Sequence, residues 1–359
     1  MAIIIIAPEL DEHADWIEWG LKQSGLQVIR WGLGWEQEYS ASITFGMRDG
    51  IYLAGHRIEP EDTVWIRRPW PSIAPHPSLA PDEVKFASSE YQAFRKTLLM
   101  NIELTGAFCI NKWSAANSIE NKSVQLALAT KCGLSVPTTV MTNASPFVRE
   151  LQETVTGDVV HKSYLTHTWV HEGSDVSYAC ETTRLERHDK LPDEVFAYAP
   201  GIYQQKIEKE YDVRITMVGE EFHAFVITTR KKELDWRFSN LLGKASMERM
   251  ALPAQVQAGL RRFADRAGIV FGCFDMAVDG KENWWFLEVN QAGQFLGVDW
   301  LHPDDGLYRP MLKFLSSREP FSDLTFPTFH QCVAQCPEKD YGVRVSNELP
   351  YLTVAQEGT

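Results

Sequence analysis

The sequence predicts a mixed α/β protein that begins with a parallel sheet and continues with an antiparallel sheet. Residues 2–7 form an apolar run that is typical of a strand buried on both faces. Residues 9–24 have helical spacing of apolar side chains and residues 26–31 resemble a second strand, which together predict a β-α-β unit. Residues 163–235 combine β-branched and aromatic residues with polar alternation, which favours antiparallel strands.

A further strand and a long helix complete the predicted N-terminal unit. Residues 62–69 have the composition of a strand, and this strand ends with the pair Arg67 and Arg68. Residues 81–104 have the periodicity of an amphipathic helix. We therefore predict a small α/β domain at the start of the chain.

The remaining sequence predicts two more units and an extension. Residues 117–132 and residues 301–316 are predicted to be helices. Residues 272–277 and 284–290 are apolar strands on either side of Asp279-Gly280, a dipeptide typical of a hairpin turn. The predicted divisions of the chain are residues 1–112, 113–200, 201–316 and 317–359.

Composition and charge exclude several classes of function. The 359 residues suit two or three subdomains around a shared cleft. The formal net charge of −13 disfavours general binding to nucleic acid, because an acidic surface repels the phosphate backbone. No segment has the ~20 apolar residues that a membrane-spanning helix needs. The six cysteines are scattered, which favours free thiols in a reducing cytoplasmic compartment.

Three oxygen-bearing side chains on the predicted C-terminal hairpin indicate a metal site. Asp275 lies on the first strand, and Glu288 and Asn290 lie two positions apart on the second. Residues two apart share a face of a strand, so pairing of the strands brings all three side chains together. Mg²⁺ prefers such oxygen ligands, with substrate phosphates completing its shell. The alternative is a half-exposed hairpin with ordinary solvated acids.

Two lysines are candidates for phosphate binding. Lys122 lies early in a predicted helix, and Lys162 ends the apolar strand at residues 159–161. A lysine that closes a buried strand can point into a cleft and neutralise phosphate oxygens. For either lysine alone, a solvated surface residue is the alternative.

A polar connection between two strands is a candidate adenosine site. The strand that ends at Gln205 is followed by Lys206, Ile207, Glu208 and the following residues before a new strand begins near residue 213. Such a connection can hold adenine with backbone groups and ribose with an acid. Near the start of the new strand, Arg214 can clamp a phosphoryl or carboxylate group. The alternative is a plain corner between two strands.

Taken together, these elements resemble a known family. Their order is that of ATP-grasp enzymes, and the chain resembles the members that macrocyclise ribosomally made peptides, the graspetide synthetases that include the microviridin macrocyclases. The resemblance spans roughly residues 1–316. The motifs that carry it are Val64-Trp65-Ile66-Arg67-Arg68-Pro69, Asn121-Lys122, Gly133-Leu134-Ser135-Val136-Pro137-Thr138, Gln204 to Arg214, Asp235-Trp236-Arg237, Leu287-Glu288-Val289-Asn290 and Gly293-Gln294-Phe295.

The resemblance implies an ATP-grasp fold and a set of ATP contacts. The fold would consist of an N-terminal pre-grasp domain, a central domain and a C-terminal grasp domain, with ATP between the last two. By position, Lys122 and Lys162 would contact the ATP phosphates. Gln205 and Ile207 would meet adenine through their backbone groups, Lys206 would lie at the same ATP site, and Glu208 or Glu210 would contact ribose. Magnesium ligands would be Asp275, Glu288 and Asn290.

The resemblance also implies a peptide substrate made of a leader and a core. Arg214 would face the γ-phosphate and the acyl group, and Arg237 would hold an acidic side chain of the core. Asp235, Arg67 and Arg68 are further candidate peptide contacts, with a surface arginine pair as the alternative for the last two. The segment 181–200, with Asp189, could hold the leader peptide, unless it is a solvated loop. The relatives suggest a homodimer.

The predicted chemistry is activation of a carboxylate by ATP. A carboxylate attacks the γ-phosphorus, while Mg²⁺, Lys162 and Arg214 offset negative charge, and an acyl phosphate forms. A Ser/Thr hydroxyl or a Lys amine then gives an ester or an amide. Two alternatives stay open: a ligase that adds amino acids to a terminus, like the ribosomal-protein glutamate ligases, and a non-catalytic ATP-binding protein.

The extension after residue 316 departs from the family pattern. His330, Cys332 and Cys336 suggest a metal site, but three ligands without a fourth favour a packed or partly disordered extension instead. The extension could also occupy the peptide site.

We expect Arg237→Ala to lower peptide modification while ATP binding is unchanged, since the resemblance gives Arg237 a contact with the peptide and none with the nucleotide. Calorimetry with Mg-ATP and mass spectrometry of the peptide measure the two effects. Peptide dehydration at the wild-type level would contradict this role.

Overall fold

A computed structural model describes most of the chain. Asp189, Asp235 and Arg237 lie outside the described residues. The described residues are 1–32, 40–69, 78–164, 168–170, 177–179, 182–186, 191–229, 234, 236, 245–318 and 324–337.

The N-terminal unit contains the predicted parallel sheet. Its elements in chain order are β1 (Ile3–Ile6), α1 (Glu12–Gln23), β2 (Val28–Trp31), β3 (Ala41–Thr44), β4 (Gly50–Leu53), β5 (His56–Arg57), β6 (Thr63–Ile66), α2 (Pro81–Ile102) and β7 (Phe108–Ile110). Strands pair in the order β2-β1-β6-β7, all parallel. The four isoleucines of β1 are buried because α1 and neighbouring elements cover both faces of the sheet, as expected for a parallel sheet. Strands β3, β4 and β5 form a separate antiparallel sheet.

The middle unit is a four-stranded antiparallel sheet with flanking helices. Its elements are α3 (Trp113–Ile119), α4 (Lys122–Lys131), β8 (Thr139–Thr142), α5 (Ser145–Thr154), β9 (Val159–Lys162), β10 (Thr168–Val170), β11 (Ser177–Ala179), β12 (Thr183–Leu185), α6 (Asp193–Tyr198) and β13 (Gly201–Gln205). The strand order is β12-β9-β13-β8, and β10 pairs with β11. Because β13 pairs with β8 and β9, this sheet extends to Gln205.

The single helix predicted over residues 117–132 is wrong. The side chain of Asn121 accepts hydrogen bonds from the backbone N–H groups of Ser123 (2.9 Å) and Val124 (3.3 Å), which caps a new helix. Helix α3 therefore ends before Asn121 and α4 begins at Lys122. The apolar periodicity continues across this break and gives no sign of it.

The third unit is a five-stranded antiparallel sheet in the order β16-β15-β14-β17-β18. Its elements are β14 (Lys209–Val218), β15 (Glu221–Thr229), β16 (Ala245–Met250), α7 (Ala254–Ala267), β17 (Phe271–Asp279) and β18 (Trp284–Asn290). The predicted hairpin is confirmed, and it places Asp275 opposite Glu288 and Cys273 opposite Asn290. On its other side β17 pairs with β14, where Arg214 lies opposite Asp275.

One apolar core joins the first and third units. It includes Ile3 and Ile5 of β1 together with Phe225 and Phe271 of the five-stranded sheet. Asn111, which follows β7, adds a buried polar link. Its Oδ1 accepts from the N–H groups of residues 270 (2.8 Å) and 271 (3.0 Å), and its Nδ2 donates to the Phe271 carbonyl (2.8 Å).

The extension also packs onto the N-terminal unit. Two helices follow the third unit, α8 (Tyr308–Leu315) and α9 (Phe329–Gln335), so residues 301–307 of the helix predicted over 301–316 are not helical. Phe329 of α9 is buried against Trp16 of α1 and against Tyr308. Residues 324–337 are therefore packed against the rest of the protein, which was one of the alternatives that the sequence left open. No helix in the described part of the chain is long and apolar enough to cross a membrane.

Asp299 fixes the start of α8. Its carboxylate is 1% exposed and accepts from the backbone N–H groups of Leu307 (3.0 Å) and Tyr308 (2.9 Å). Gly306 lies against this carboxylate, since a Cβ there would be 2.1 Å from Oδ1. Burial raises the pKa of Asp299 to about 6 despite the two hydrogen bonds, which favour the charged form.

We expect Asp299 to lower the free energy of unfolding as pH rises. Its pKa in the folded protein lies above the ordinary value of 3.8. Its stabilising contribution to the free energy of unfolding is therefore complete below pH 3.8 and is lost as the pH rises past 6. The loss is about 3 kcal/mol for a shift of this size. Urea unfolding between pH 4 and pH 7 measures it, with Asp299→Asn as the control that lacks the titration. Identical pH profiles for the two proteins would contradict the assignment.

Candidate active site

A cleft lies between the middle sheet and the five-stranded sheet, and we call it the central cleft. It encloses about 980 Å³ of space when its open mouth is included. Its lining residues are Lys122, Val160, Lys162, Ser163, Tyr164, Thr182, Gln204, Gln205, Lys206, Ile207, Lys209, Asp212, Leu234, Trp236, Asp275, Ala277, Leu287 and Glu288.

Both predicted lysines reach the central cleft. Lys162 lies at the end of β9, and its Nζ donates to Gln204 Oε1 at 2.8 Å. Lys122 lies in the first turn of α4, and its ammonium forms an ion pair with Glu288 on β18. The cap made by Asn121 sets where α4 begins and so places Lys122 at the cleft. The structure therefore brings two cations of the middle unit, one from α4 and one from β9, to the same cleft.

The connection after β13 forms one end of the central cleft. The N–H of Gln205 donates to the Thr138 carbonyl (2.8 Å) and that of Lys206 to the Asp158 carbonyl (2.9 Å), so both are used by the fold. No hydrogen bond between described residues uses the N–H of Ile207. This N–H is therefore available to a ligand at the lining of the cleft.

The charged side chains of this connection differ in their positions. Lys206 forms an ion pair with the exposed Glu208. Glu210 lies on β14 with its side chain exposed and does not line the cleft. Lys209 lines the central cleft and was not predicted as a site residue from the sequence. Its Nζ contacts Asp212 (2.6 Å) and the Leu234 carbonyl (3.1 Å). A lysine at the start of a strand is the signal that could have identified it.

Arg214 and Asp275 form a part-buried ion pair at the other end of the cleft, where Asp275 is the lining residue. The Arg214 Nη1 contacts both carboxylate oxygens of Asp275, at 2.8 and 2.7 Å, and Nη2 donates to the Gln294 carbonyl at 3.1 Å. Burial alone would lower the pKa of Arg214, but the negative charge of Asp275 outweighs it and the pKa is raised. The indole of Trp236 lies 5.9 Å from the guanidinium. Arg214 is therefore a fixed cation at this end of the cleft.

Asp275, Glu288 and Asn290 form the candidate metal site. Asp275 and Glu288 line the cleft, and the exposed Asn290 accepts a hydrogen bond from the N–H of Ala292 (3.0 Å). Within the described chain no group of three or more His, Cys, Asp or Glu residues is placed to hold a metal. The candidate set has two carboxylates and one amide. Such oxygen donors fit Mg²⁺ when phosphate and water supply the remaining ligands.

A second cavity continues from the central cleft. Trp236, Asp275 and Glu288 line both spaces, and Arg214 and Asn290 line the second. Its remaining wall comes from α1 and from the loop after β18. A ligand in the cleft and a ligand in the second cavity would therefore meet at Arg214 and the candidate metal site.

The two consecutive arginines after β6 have different surroundings. Arg68 lines the second cavity. Arg67 is buried, and its Nε donates to Asp11 Oδ1 at 2.7 Å while Nη1 donates to the Gly293 carbonyl at 3.2 Å. Arg67 therefore joins α1 to the loop after β18 inside the protein, and the structure does not bring it to a substrate surface.

These elements define the ATP-grasp fold: two antiparallel sheets lie on either side of a cleft lined by cations and carboxylates, next to a parallel N-terminal sheet. Comparison with solved structures agrees. A RiPP-associated ATP-grasp ligase from Chryseobacterium gregarium, solved with ADP and a leader and core peptide, is 25% identical, with a TM-score of 0.76 over 90% of this chain and 99% of that chain.

Two further solved structures share the fold at lower identity. The macrocyclase MdnC from Microcystis aeruginosa, bound with precursor peptide MdnA, is 19% identical with a TM-score of 0.74, over 88% of this chain and 100% of that chain. The ATP-grasp ligase PsnB, complexed with a precursor variant, Mg and ADP, is 21% identical with a TM-score of 0.69, over 89% and 98%. No family model and no curated protein matches the sequence.

We expect Gly293→Ala to destabilise the protein. A Cβ at Gly293 would lie 2.8 Å from both Cβ and Sγ of the buried Cys273 and 3.0 Å from Nη2 of Arg214. Forcing one carbon into such a site typically costs about 1–3 kcal/mol. Gly297→Ala is the matched control, because nothing lies within 4 Å of its Cβ position. Urea unfolding compares the two variants, and equal stabilities would contradict the close packing described for Gly293.

Proposed function

We propose that this protein is an ATP-dependent ligase that activates Asp or Glu side chains of a ribosomally made precursor peptide and crosslinks them within the peptide as esters or amides. The observation that carries this proposal is the continuity of the central cleft with the second cavity at Trp236, Asp275 and Glu288, with Arg214 beside them in the second cavity. A phosphate donor and a carboxylate can meet only where such spaces join. The three solved structures above, with their nucleotides and peptides, support the same activity.

In this proposal ATP binds in the central cleft. The N–H of Ile207 meets adenine, with Gln205 and Lys206 beside it. Glu208 or Glu210 contacts ribose. Because Glu210 does not line the cleft, its side chain would have to rearrange to make this contact. Lys122 and Lys162 neutralise the phosphates. Asp275, Glu288 and Asn290 hold Mg²⁺, which when bound screens charge between the γ-phosphate and the incoming acid.

The chain's own residues position the reactants. Arg214 holds the substrate carboxylate against the γ-phosphate, so that a carboxylate oxygen attacks phosphorus and ADP leaves. Because Lys122 contacts Glu288 and Arg214 contacts Asp275 in the free site, loading Mg-ATP exchanges these contacts for phosphate and metal contacts. Catalysis then depends on orientation and charge, without a protein nucleophile. Cys132 and Cys273 are buried free thiols.

The peptide is proposed to occupy the second cavity and its surroundings. Arg68 lines that cavity and can pair with an acidic residue of the core. Arg237 and Asp235, which follow from the family resemblance, are proposed to contact the core as well. Asp189 is proposed to contact the leader peptide. The described free thiols also lead us to place the enzyme in the reducing cytoplasm.

A peptide dehydration assay tests this function. The purified protein is incubated with Mg-ATP and the short acidic, Thr- or Lys-bearing peptide encoded beside its gene, and mass spectrometry follows the peptide. Loss of one water, about 18 Da, per ring with one ADP formed per ring supports the proposal. A gain of amino-acid mass at a terminus would instead support the terminal ligase, and absence of any peptide-dependent ADP would contradict both.

We expect Glu288→Gln to abolish turnover, since it removes a negative metal ligand and the partner of Lys122. The variant keeps the size of the side chain, so folding should be unaffected. Glu248→Gln is the matched control, because Glu248 is an exposed residue on β16 of the same sheet. The readout is ADP formed per dehydrated peptide. Wild-type turnover by Glu288→Gln would remove Glu288 from the proposed metal site.

We also propose that the protein is a homodimer that buries an apolar surface of the N-terminal unit. Phe45 and Leu104 line one groove there and are 81% and 82% exposed, and Phe86 on α2 is 69% exposed. Exposed apolar surface of this kind marks a contact site.

Leu104→Asp is expected to shift the protein from dimer to monomer, because it adds a charge to that groove. Light scattering after size-exclusion chromatography measures the mass. Phe147→Asp on α5, at a site 56% exposed, is the control and should stay dimeric. A wild-type monomer would rule out this proposal.

A further inference from the structure

One polar side chain of the second cavity has no role in the site described so far. His13 is the second residue of α1, is 6% exposed and lines the second cavity. It belongs to the N-terminal unit, whereas the candidate ATP and metal ligands belong to the other two. Arg214, Asp275, Glu288 and Asn290 line the same cavity. His13 therefore shares a cavity with the residues at which acyl transfer is proposed.

Two backbone groups fix the tautomer of His13. Its Nδ1 accepts from the N–H of Phe295 (3.5 Å) and from that of Leu296 (3.4 Å), in the loop that follows Asn290. A ring nitrogen that accepts hydrogen bonds carries no proton, so the neutral ring carries its proton on Nε2. Stacking on Trp16 and an edge contact with Phe295 hold the ring plane.

The surroundings keep this ring neutral. Burial lowers the pKa of His13 well below its ordinary value of 6.5, and the charges of Arg67 and Arg68 lower it further. The charge of Asp11 acts in the opposite direction but is outweighed. At neutral pH the ring is thus a neutral hydrogen-bond donor, and its proton on Nε2 prevents that atom from acting as a base.

The Nε2–H group has no acceptor within hydrogen-bond distance among the residues described above. Nε2 is not among the fully buried atoms without a partner, so it keeps accessible surface on a residue that lines the second cavity. An oxygen acceptor in that cavity can therefore pair with Nε2–H.

We propose that Nε2–H of His13 donates a hydrogen bond to the carbonyl oxygen of the activated acyl group during acyl transfer, an inference that rests on the proposed function. The acceptor hydroxyl or amine adds to the carbonyl carbon of the acyl phosphate, and the π electrons move to the oxygen that His13 contacts. Collapse re-forms the carbonyl and breaks the bond to phosphate, which leaves with the electron pair and takes the proton lost by the nucleophile. A fixed neutral donor stabilises the oxyanion without prior reorganisation.

A matched pair of variants separates this role from a structural one. Asn at position 13 offers an oxygen near Nδ1 for the two backbone N–H groups but no donor near Nε2, whereas Gln offers an N–H donor near Nε2. His13→Asn should keep the melting temperature and lose the donor. His13→Gln should restore part of the lost rate.

Rapid-quench single turnover, with the peptide that the wild-type enzyme dehydrates, tests the pair. We expect His13→Asn to form ADP at a rate within about two-fold of wild type, while ring formation falls by ~10²–10³-fold, the effect of losing one oxyanion donor. The rate of ring formation in His13→Gln should be at least ten-fold higher than in His13→Asn. Ring formation at the wild-type rate in His13→Asn, an equal fall in ADP formation, or no recovery with His13→Gln would each overturn the proposal.

A measurement without peptide keeps this inference separate from the proposed function. The ¹⁵N shifts of labelled histidine rings, with His13 assigned by its absence in His13→Asn, report the tautomer. A neutral ring with its proton on Nε2 at pH 7 supports the donor, and a proton on Nδ1 or an imidazolium overturns it. A wild-type enzyme that forms no peptide-dependent ADP would count against the proposed function, whereas the ring tautomer would still be measured.

Discussion

The candidate site depends on the register of three neighbouring strands. Pairing of β14 with β17 sets Arg214 opposite Asp275, and pairing of β17 with β18 sets Asp275 opposite Glu288. A shift of one residue in either pairing would turn one of these side chains to the opposite face of the sheet. The buried residues on the other face, such as Phe274 and Phe286, oppose such a shift because it would expose them. Core packing thereby aligns a cation with two acids.

Local charge in the site contrasts with the charge of the whole molecule. The chain has a net charge of −13, yet Lys122, Lys162, Lys209 and Arg214 meet at the central cleft or at its junction with the second cavity. Carboxylates pair with three of these cations, which reduces the repulsion among the positive charges. The acidic exterior disfavours contact with other polyanions, and the cleft provides a region where a triphosphate is accommodated.

Much of the fold could be predicted from local patterns. The apolar run at β1 and the turn dipeptide Asp279-Gly280 were sufficient for the parallel sheet and the hairpin. The break at Asn121 was missed because a capping side chain and a mid-helix polar residue look alike in the periodicity. Arg67 was proposed as a substrate contact because nothing in Arg67-Arg68 tells which guanidinium points inward. That choice depends on Asp11 and on carbonyls more than 200 positions away.

Residues whose roles depend on distant contacts were the hardest to foresee. His13 is an unremarkable polar residue in an amphipathic helix until Phe295 and Leu296 are brought to its ring. Lys209 and Trp236 likewise become lining residues of the central cleft only because the two sheets face each other. The metal candidates, in contrast, lie on adjacent strands joined by a short turn, and for that reason sequence spacing alone was enough to group them.

The packing of α9 against α1 has a consequence for synthesis of the protein. Tyr308 and Cys332 both donate to the carbonyl of Trp16, across separations of 292 and 316 residues, and Phe329 packs on its indole. Trp16 lines the second cavity, so residues that are translated after the three units support this wall. While a ribosome is still translating, the earlier units can form, but the second cavity lacks its backing. In the nascent enzyme the central cleft can therefore form before the second cavity is complete.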